Sequence, residues 1–190
     1  PATSPAGLAG LKVSDAILTC NGKKVHTVED LLAGYRRAAP RSLVKLGIIR
    51  DQADQFVEVP RGDEIGLHAG DARRHGASGR YDPRKEYFGS WTREDTWLEW
   101  DITIPAAGKY EIEIVQACPA GAAGSEYTIQ VGKAVGHGKV AATGHWENFA
   151  TKSLGTIDVI ESGKLKASLK PTKMAGGAVM NIRAIVLRPS

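Results

Sequence analysis

Three segments in the second half of the chain alternate apolar and polar residues with a period of two. They read WLEWDITI, KYEIEIVQA and EYTIQVG. Because successive side chains of a β-strand point to opposite faces, this pattern predicts strands with one buried face. Weaker strands are predicted at 139–141, 153–159 and 164–169, and AVMNIRAIVLRP closes the chain. Seven or eight such strands, separated by Gly, Pro and polar turns, predict an all-β antiparallel sandwich over residues 65–190.

The first sixty residues predict a different, α+β unit. DAILTCNGKKV indicates a strand that ends in a tight turn at Asn21-Gly22, a pair that readily adopts positive φ. LVKLGIIR and DQFVEV predict two further strands, joined by a polar turn at 51–54. These segments predict a small sheet in which one helix lies between the first and second strand segments.

The helix is predicted from Val28 to Ala39. Thr27 is a favourable N-cap, Asp30 follows it at capping-box spacing, and Pro40 ends the helix. An apolar stripe at helical spacing is expected to face the sheet, and it consists of Val28, Leu31, Leu32 and Tyr35.

A change in composition separates the two halves. All four Trp residues and ten of the twelve aromatic residues follow residue 80, whereas the first sixty residues hold only Tyr35 and Phe56. The polar run VPRGDEIG lies at the change and is typical of a linker. We therefore predict domains at 1–60 and 65–190 with a linker at 61–64.

Composition also excludes several functions. No apolar run approaches eighteen residues, so we expect no membrane span. The net charge of +4 comes from 25 basic and 21 acidic residues scattered along the chain, so we expect no nucleic-acid partner. The two cysteines, Cys20 and Cys118, fall in different predicted domains and match no zinc spacing, which favours two free thiols.

The segment from Ser4 to about Val59 resembles the later two thirds of a bacterial PDZ domain. The resemblance lies in SPAGLAGLKVSDAILTCNGKKVHTVEDLLAGYRRAAPRSLVKLGIIRD, where Ser14 replaces the usual Gly before Asp. It implies a partial PDZ-like domain whose peptide-cradling strand and loop would precede Pro1. We therefore expect no capture of free C-terminal peptides. Because unpaired strand edges recruit partners, we expect the sandwich to cover this edge or two chains to pair through it.

The second half resembles the galactose-binding-like, jelly-roll sandwich of carbohydrate-binding modules in families 6 and 35. The motifs are AGDARRHG, YFGSWTREDTWLEWDITIPAAGKYEIEIVQACP, ATGHWENF and LKPTKMAGGAVMNIRAIVLRP, within Ile65–Pro189. More closely, these motifs resemble the modules that are appended to secreted bacterial sulfatases and fucosidases. The resemblance implies a non-catalytic accessory region that targets or orients a larger extracytoplasmic bacterial protein, secreted or periplasmic, on glycan.

The same resemblance implies the ligand-binding residues. In these modules the sugar cleft is lined by an aromatic of the Thr-Gly-x-Trp loop and an Asn before the last strand, which match Trp146 and Asn181 here. Nearby loops add Tyr87, Trp91 and Glu147. A pyranose stacks its C–H face on an aromatic ring, and its hydroxyls need amide or carboxylate partners. The alternative is that Trp146 folds inward over Phe149 and closes the core of the sandwich. Trp100 is also expected to pack in the core.

Neither a cofactor nor catalysis is expected. Related modules carry a structural calcium near an Ala-Glu run, but LHAGDA has Gly70 at the first acid position, and Asp71 alone is a poor calcium site. The five histidines are dispersed, and no serine-hydrolase elbow or zinc-protease motif is present. The alternative function is a protein–protein interaction or scaffold module without a sugar ligand, which a flat, charged loop face would favour.

Overall fold

The chain folds into two compact units, Pro1–Asp63 and Glu64–Ser190. The structure is a computed structural model that describes residues 9–38 and 41–190. No helix in these described ranges has the length and apolar character that crossing a membrane requires.

The N-terminal unit contains four strands, β1 (Ala16–Cys20), β2 (Lys23–Lys24), β3 (Leu43–Arg50) and β4 (Ala53–Pro60). They form an antiparallel sheet in the order β2-β1-β3-β4. Asn21 and Gly22 both have positive φ and connect β1 to β2, which confirms the predicted tight turn. Asp51 and Gln52 form an equally short turn between β3 and β4. Among the described residues β2 and β4 are the outer strands, and pairing of two chains at this sheet stays a prediction.

The helix α1 spans Val28–Arg37 and begins as predicted. Thr27 Oγ1 accepts from the Asp30 N–H at 3.1 Å, and the Asp30 carboxylate accepts from the Thr27 N–H at 3.0 Å, a reciprocal capping box. The predicted end at 39–40 lies outside the described residues. Leu31 and Tyr35 pack on the core of this unit, but Val28 is 66% exposed and is no part of a buried stripe.

The segment predicted as a linker is hydrogen-bonded to the N-terminal unit as far as Asp63. The Arg61 N–H donates to the Ser42 carbonyl at 2.8 Å, and the Arg41 N–H donates to the Arg61 carbonyl at 3.0 Å. Arg41 also pairs with Asp63 at 3.1 Å. The chain therefore remains attached to the first sheet up to the point where the second unit begins.

The C-terminal unit consists of two antiparallel sheets, which confirms the predicted sandwich. The strands are β5 (Ile65–His68), β6 (Arg73–His75), β7 (Arg80–Asp82), β8 (Tyr87–Gly89), β9 (Trp97–Ile104), β10 (Gly108–Ala117), β11 (Glu126–Val131), β12 (Ala134–Lys139), β13 (Ala150–Val159), β14 (Gly163–Lys173) and β15 (Asn181–Pro189). The six-stranded sheet has the order β13-β10-β15-β8-β7, with β5 also paired to β15, and the five-stranded sheet has the order β12-β11-β14-β9-β6.

The core lies between these sheets and contains the alternating residues that the sequence indicates. Fully buried side chains include Ile112, Ile114, Ile129 and Leu169. Trp100 is also buried, at 3% exposure, and its indole N–H donates to the His68 carbonyl at 2.7 Å, which confirms its predicted core position. One strand prediction was wrong: the strand expected at 139–141 lies earlier, at Ala134–Lys139, where it pairs with β11.

An ion pair between Asp15 and Arg50 connects the segment before β1 to the sheet of the N-terminal unit. The Asp15 carboxylate, whose side chain is 1% exposed, accepts two hydrogen bonds from the Arg50 guanidinium, at 2.7 and 2.6 Å. It also accepts from the Lys12 N–H at 2.7 Å, while Arg50 donates to the Gly10 carbonyl at 2.8 Å. These bonds to the ionised form, chiefly from Arg50, lower the pKa of Asp15 to about 2.

Replacing Asp15 with Asn is expected to remove a pH-dependent part of the stability of this unit. The folded pKa of about 2 lies below the ordinary 3.8, so the stabilisation is complete above about pH 4 and is lost as the pH falls toward 2. Amide hydrogen exchange in β3 should be faster in Asp15→Asn than in the parent at about pH 6, and this ratio should shrink by about pH 2.5. A ratio that stays constant over this range contradicts the assignment.

Candidate functional site

Three segments meet at one end of the six-stranded sheet. They are the β7–β8 hairpin (80–89), the loop at 143–149 and the start of β15 (181–183), and together we call them the loop edge. Side chains connect all three, because Asn181 contacts the loop through Trp146, and Arg183 contacts both the loop at Phe149 and the hairpin at Lys85. This end of the sandwich therefore brings together residues that are far apart in sequence.

The 143–149 loop is held in shape by its own hydrogen bonds. The Thr143 N–H donates to the Cys118 carbonyl at 2.7 Å, and Thr143 Oγ1 accepts from the Cys118 N–H at 2.9 Å. The Asn148 side chain donates to the Thr143 carbonyl and closes the loop, which Gly144 enters with a φ of 95°. These bonds attach the loop to the end of β10 and fix the direction of its aromatic residues.

The β7–β8 hairpin is ordered by Asp82. Its Oδ1 accepts from the N–H groups of Arg84 and Lys85 at 2.9 and 3.2 Å, as Asp does in turns. Lys85 Nζ then pairs with the Glu147 carboxylate, and this contact connects the hairpin to the loop. Hydrogen bonding to Lys85 lowers the pKa of Glu147, so this carboxylate stays ionised.

Asn181 is the central residue of the loop edge. It is 6% exposed, and its Nδ2 donates to the Trp146 carbonyl at 2.8 Å. Its Oδ1 lies beside Gly89, where a Cβ would come within 2.4 Å of it and within 2.8 Å of the Tyr87 ring. Gly89 therefore provides the space in which the Asn181 amide lies.

The aromatic surface of the loop edge consists of Tyr87, Phe149 and Trp146. The Tyr87 and Phe149 ring centroids are 5.6 Å apart with a 41° tilt, and the Arg183 guanidinium lies 4.0 Å from the Phe149 centroid. All three aromatic residues are half-buried. Sequence reasoning missed Arg183 in this role and treated Phe149 as part of a core plug. The signal for Arg183 was its position two residues after Asn181 in NIRAI, although a β-bulge at this point of β15 interrupts the regular alternation.

Trp146 lies between the two predicted alternatives. It packs against the sandwich core yet remains partly accessible, so it neither closes the core completely nor projects freely. It also does not fold over Phe149 in a ring contact of the kind that Tyr87 makes. Whether Trp146 binds sugar stays a prediction.

Trp91 was wrongly predicted to line the cleft. It is 0% exposed, packs edge-on against Phe88 at 5.3 Å between centroids, and donates its indole N–H to the Thr96 carbonyl at 3.0 Å. The chain turns inward after β8, and the Val179 N–H bonds to the Trp91 carbonyl at 2.8 Å. A ring with no accessible face cannot stack on a ligand.

The outer face of the five-stranded sheet carries an ion-pair network. Lys166 Nζ lies 2.9 Å from both Glu99 and Asp101, and Arg73 lies 3.2 Å from each. The hydrogen bond to Lys166 lowers the pKa of both carboxyls. A glycosidase general acid requires a raised pKa, so this pair is unsuited to that role. Trp97 on the same face stacks against His75 at 3.8 Å and has Lys170 at 4.1 Å from its centroid.

The described residues hold no cluster of three or more His, Cys, Asp or Glu side chains that could bind a metal ion. At Gly70, where related modules would place an acid, a Cβ would come within 2.8 Å of the Tyr81 ring. A longer side chain at this position would require Tyr81 to move.

Substitution of Gly89 by Ala is expected to displace Asn181, because the added Cβ would lie 2.4 Å from its Oδ1. Overpacking of this kind costs about 1–3 kcal/mol, and the bond to the Trp146 carbonyl is lost with it. Urea unfolding followed by Trp fluorescence measures the cost. Gly177→Ala is the matched control, since a Cβ there meets nothing within 4 Å. Equal stability of the two variants contradicts the described position of Asn181.

Comparison with known proteins agrees with this division of the chain. Residues 2–60 match the family model of the PDZ domain. The probable periplasmic serine endoprotease DegP-like of Bartonella henselae is 32% identical over 59 residues, which is 31% of this chain and 12% of that protein. Beta-agarase AgaA of Microbulbifer thermotolerans is 32% identical over 85 residues, 44% of this chain and 19% of the agarase. The chain thus spans less than a fifth of either relative.

Solved structures resemble the sandwich. A family 35 carbohydrate-binding module from Clostridium thermocellum matches with a TM-score of 0.54 at 16% identity, over 67% of this chain and 98% of the module. The carbohydrate-binding module CBM6cm-2 of Cellvibrio mixtus lichenase 5A, solved with cellotriose, has a TM-score of 0.51 at 18% identity, over 66% of this chain and 97% of the module. The C-terminal unit therefore has the fold of family 6 and 35 carbohydrate-binding modules.

Proposed function

We propose that the C-terminal unit binds glycan at the loop edge and that the chain is a non-catalytic accessory region of a larger extracytoplasmic bacterial protein. The observation that carries this proposal is the gathering of Tyr87, Phe149 and Trp146 around the Asn181 amide at one end of the sandwich. The solved complex of a similar module with cellotriose and the periplasmic assignment of the DegP-like relative support it.

The chemistry of the loop edge suits a sugar ring. The C–H face of a pyranose packs on an aromatic ring, and Tyr87 has a partly accessible ring next to the amide. An amide has two N–H donors and an acceptor oxygen, so the bond from Asn181 to Trp146 uses only part of its capacity. The Tyr87 and Phe149 rings differ in tilt by 41° and form an angled, non-flat apolar surface.

Contacts within the loop edge hold its side chains in place (bracing), and this also favours ligand binding. Its loop is closed by Asn148 and joined to the hairpin by the pair between Glu147 and Lys85. A site whose side chains are already positioned loses little conformational entropy when it binds a ligand. We therefore assign Glu147 a bracing role in addition to its predicted ligand-binding role.

Replacing Tyr87 with Ala is expected to weaken retention on polysaccharide by about tenfold, because an aromatic stacking contact contributes about 0.5–1.5 kcal/mol beyond its buried area. Affinity electrophoresis through gels that contain neutral or charged polysaccharides measures this loss, and the thermal midpoint reports folding. Tyr87 is half-buried, so the midpoint should change little.

Trp97→Ala is the matched aromatic control, because Trp97 lies on the other sheet between His75 and Lys170. It should leave retention unchanged. Loss of retention in Trp97→Ala with full retention in Tyr87→Ala would move the site to the five-stranded sheet and overturn the proposed location. A parent protein that is retained by no polysaccharide would overturn glycan binding itself and favour the interaction or scaffold role.

A further inference from the structure

We infer that the glycan recognised at the loop edge is anionic and that Arg183 binds its sulfate ester or carboxylate group. This inference rests on the proposed glycan-binding function and specifies its ligand class. The observation behind it is a guanidinium that has an aromatic partner for one face and no carboxylate partner: among the described residues, no Asp or Glu lies within 4.0 Å of Arg183.

The contacts of Arg183 leave its hydrogen-bond donors available. Its guanidinium lies 4.0 Å from the Phe149 centroid, and this stacking uses the face of the group. The N–H donors point along the edge of the plane, where the contact of Nη2 with the Lys85 carbonyl is long, at 3.5 Å. A guanidinium in this arrangement is oriented, exposed and able to form a two-pronged pair with a planar or tetrahedral anion.

Arg183 and the Asn181 amide both reach the same loop. Asn181 and Arg183 are separated by one residue, Ile182, which points into the core. The pairing of β15 with β10 shifts between Val115 and Gln116, so a β-bulge interrupts the strand at Arg183. Even so, Asn181 bonds to the Trp146 carbonyl and Arg183 lies against the Phe149 ring, so both side chains contact the 143–149 loop. A sugar ring next to the Asn181 amide therefore has its neighbouring substituents within reach of the Arg183 side chain.

The neighbouring carboxylates do not neutralise this position. Glu147 is paired with Lys85, and Asp82 accepts two backbone N–H groups of its own turn. Arg80 and Arg84 make no ion pair with a described residue, and the carboxylates of Asp82 and Glu86 make none either. Together with Arg183, the loop edge thus has three cations and two carboxylates without an ion pair. The resulting excess of positive charge favours a negatively charged ligand.

The experiment compares the parent with Arg183→Gln on three polysaccharides: agarose as a neutral galactan, carrageenan as a sulfated galactan and polygalacturonate as a uronate. The parent should be retained by at least one anionic polysaccharide and more strongly than by agarose. Arg183→Gln should lose about tenfold or more in affinity for it, since hydrogen bonds to charged groups are the stronger class. Arg183→Lys, which keeps the charge and loses the planar fork, should fall between the two.

Lys164→Gln is the matched charge control. It removes one exposed positive charge from β14 in the other sheet, so it changes the net charge by the same amount. An equal loss in Lys164→Gln and Arg183→Gln would show general attraction to a basic protein and overturn the inference. Thermal midpoints of both variants should match the parent, because both side chains are exposed.

The three polysaccharides also distinguish the two kinds of anion and show which proposal a negative result overturns. A loss of retention on carrageenan alone assigns a sulfate ester, and a loss on polygalacturonate alone assigns a carboxylate. Retention on agarose that exceeds that on both anionic polysaccharides and is unchanged in Arg183→Gln overturns the inference and leaves the proposed function intact. No retention on any of the three overturns both.

Discussion

The arrangement of the loop edge depends on the hydrogen bond from the Asn181 amide to the Trp146 carbonyl. Asn181 is the first residue of β15, a central strand of the six-stranded sheet, and it is nearly buried. A bond from this position transmits the rigidity of the sheet to a loop that has no strand of its own. Gly89 makes this hydrogen bond possible, because only a residue without a Cβ leaves room for the Asn181 amide.

The core of the sandwich and the loop edge are built by the same strand. Ile182 points inward and is fully buried, whereas Asn181 bonds to the Trp146 carbonyl and the exposed Arg183 lies against the Phe149 ring. Packing of Ile182 therefore fixes the position of both neighbours. Precision of this kind is expected where polar side chains project from strands and not from a free loop. Two Trp residues of β9 also differ in their surroundings. Trp100 faces the core, whereas Trp97 lies on the outer face of β9 among charged side chains.

Much of the fold was predictable because long strands and capped helices leave local signals. The alternation in β9, β10 and β11, the Asn21-Gly22 turn and the capping box of Thr27 and Asp30 each rest on a few adjacent residues. Strands β6, β7 and β8 were missed because each has three residues, too few for a period to show. Trp91 was misassigned because burial at the end of a short strand leaves no repeating pattern. The contact of Arg183 with Phe149 joins residues 34 positions apart, and only the folded sheet brings them together.

The most direct test of the account is a nuclear magnetic resonance titration of the labelled protein with oligosaccharides from whichever polysaccharide retains it. The account predicts that shift changes concentrate in residues 80–89, 143–149 and 181–183, including the Asn181 side-chain amide and the Trp146 indole N–H. The Trp97 indole on the opposite sheet should remain unchanged. Shift changes that concentrate around Trp97 and Lys170, with residues 143–149 and 181–183 unaffected, would contradict it.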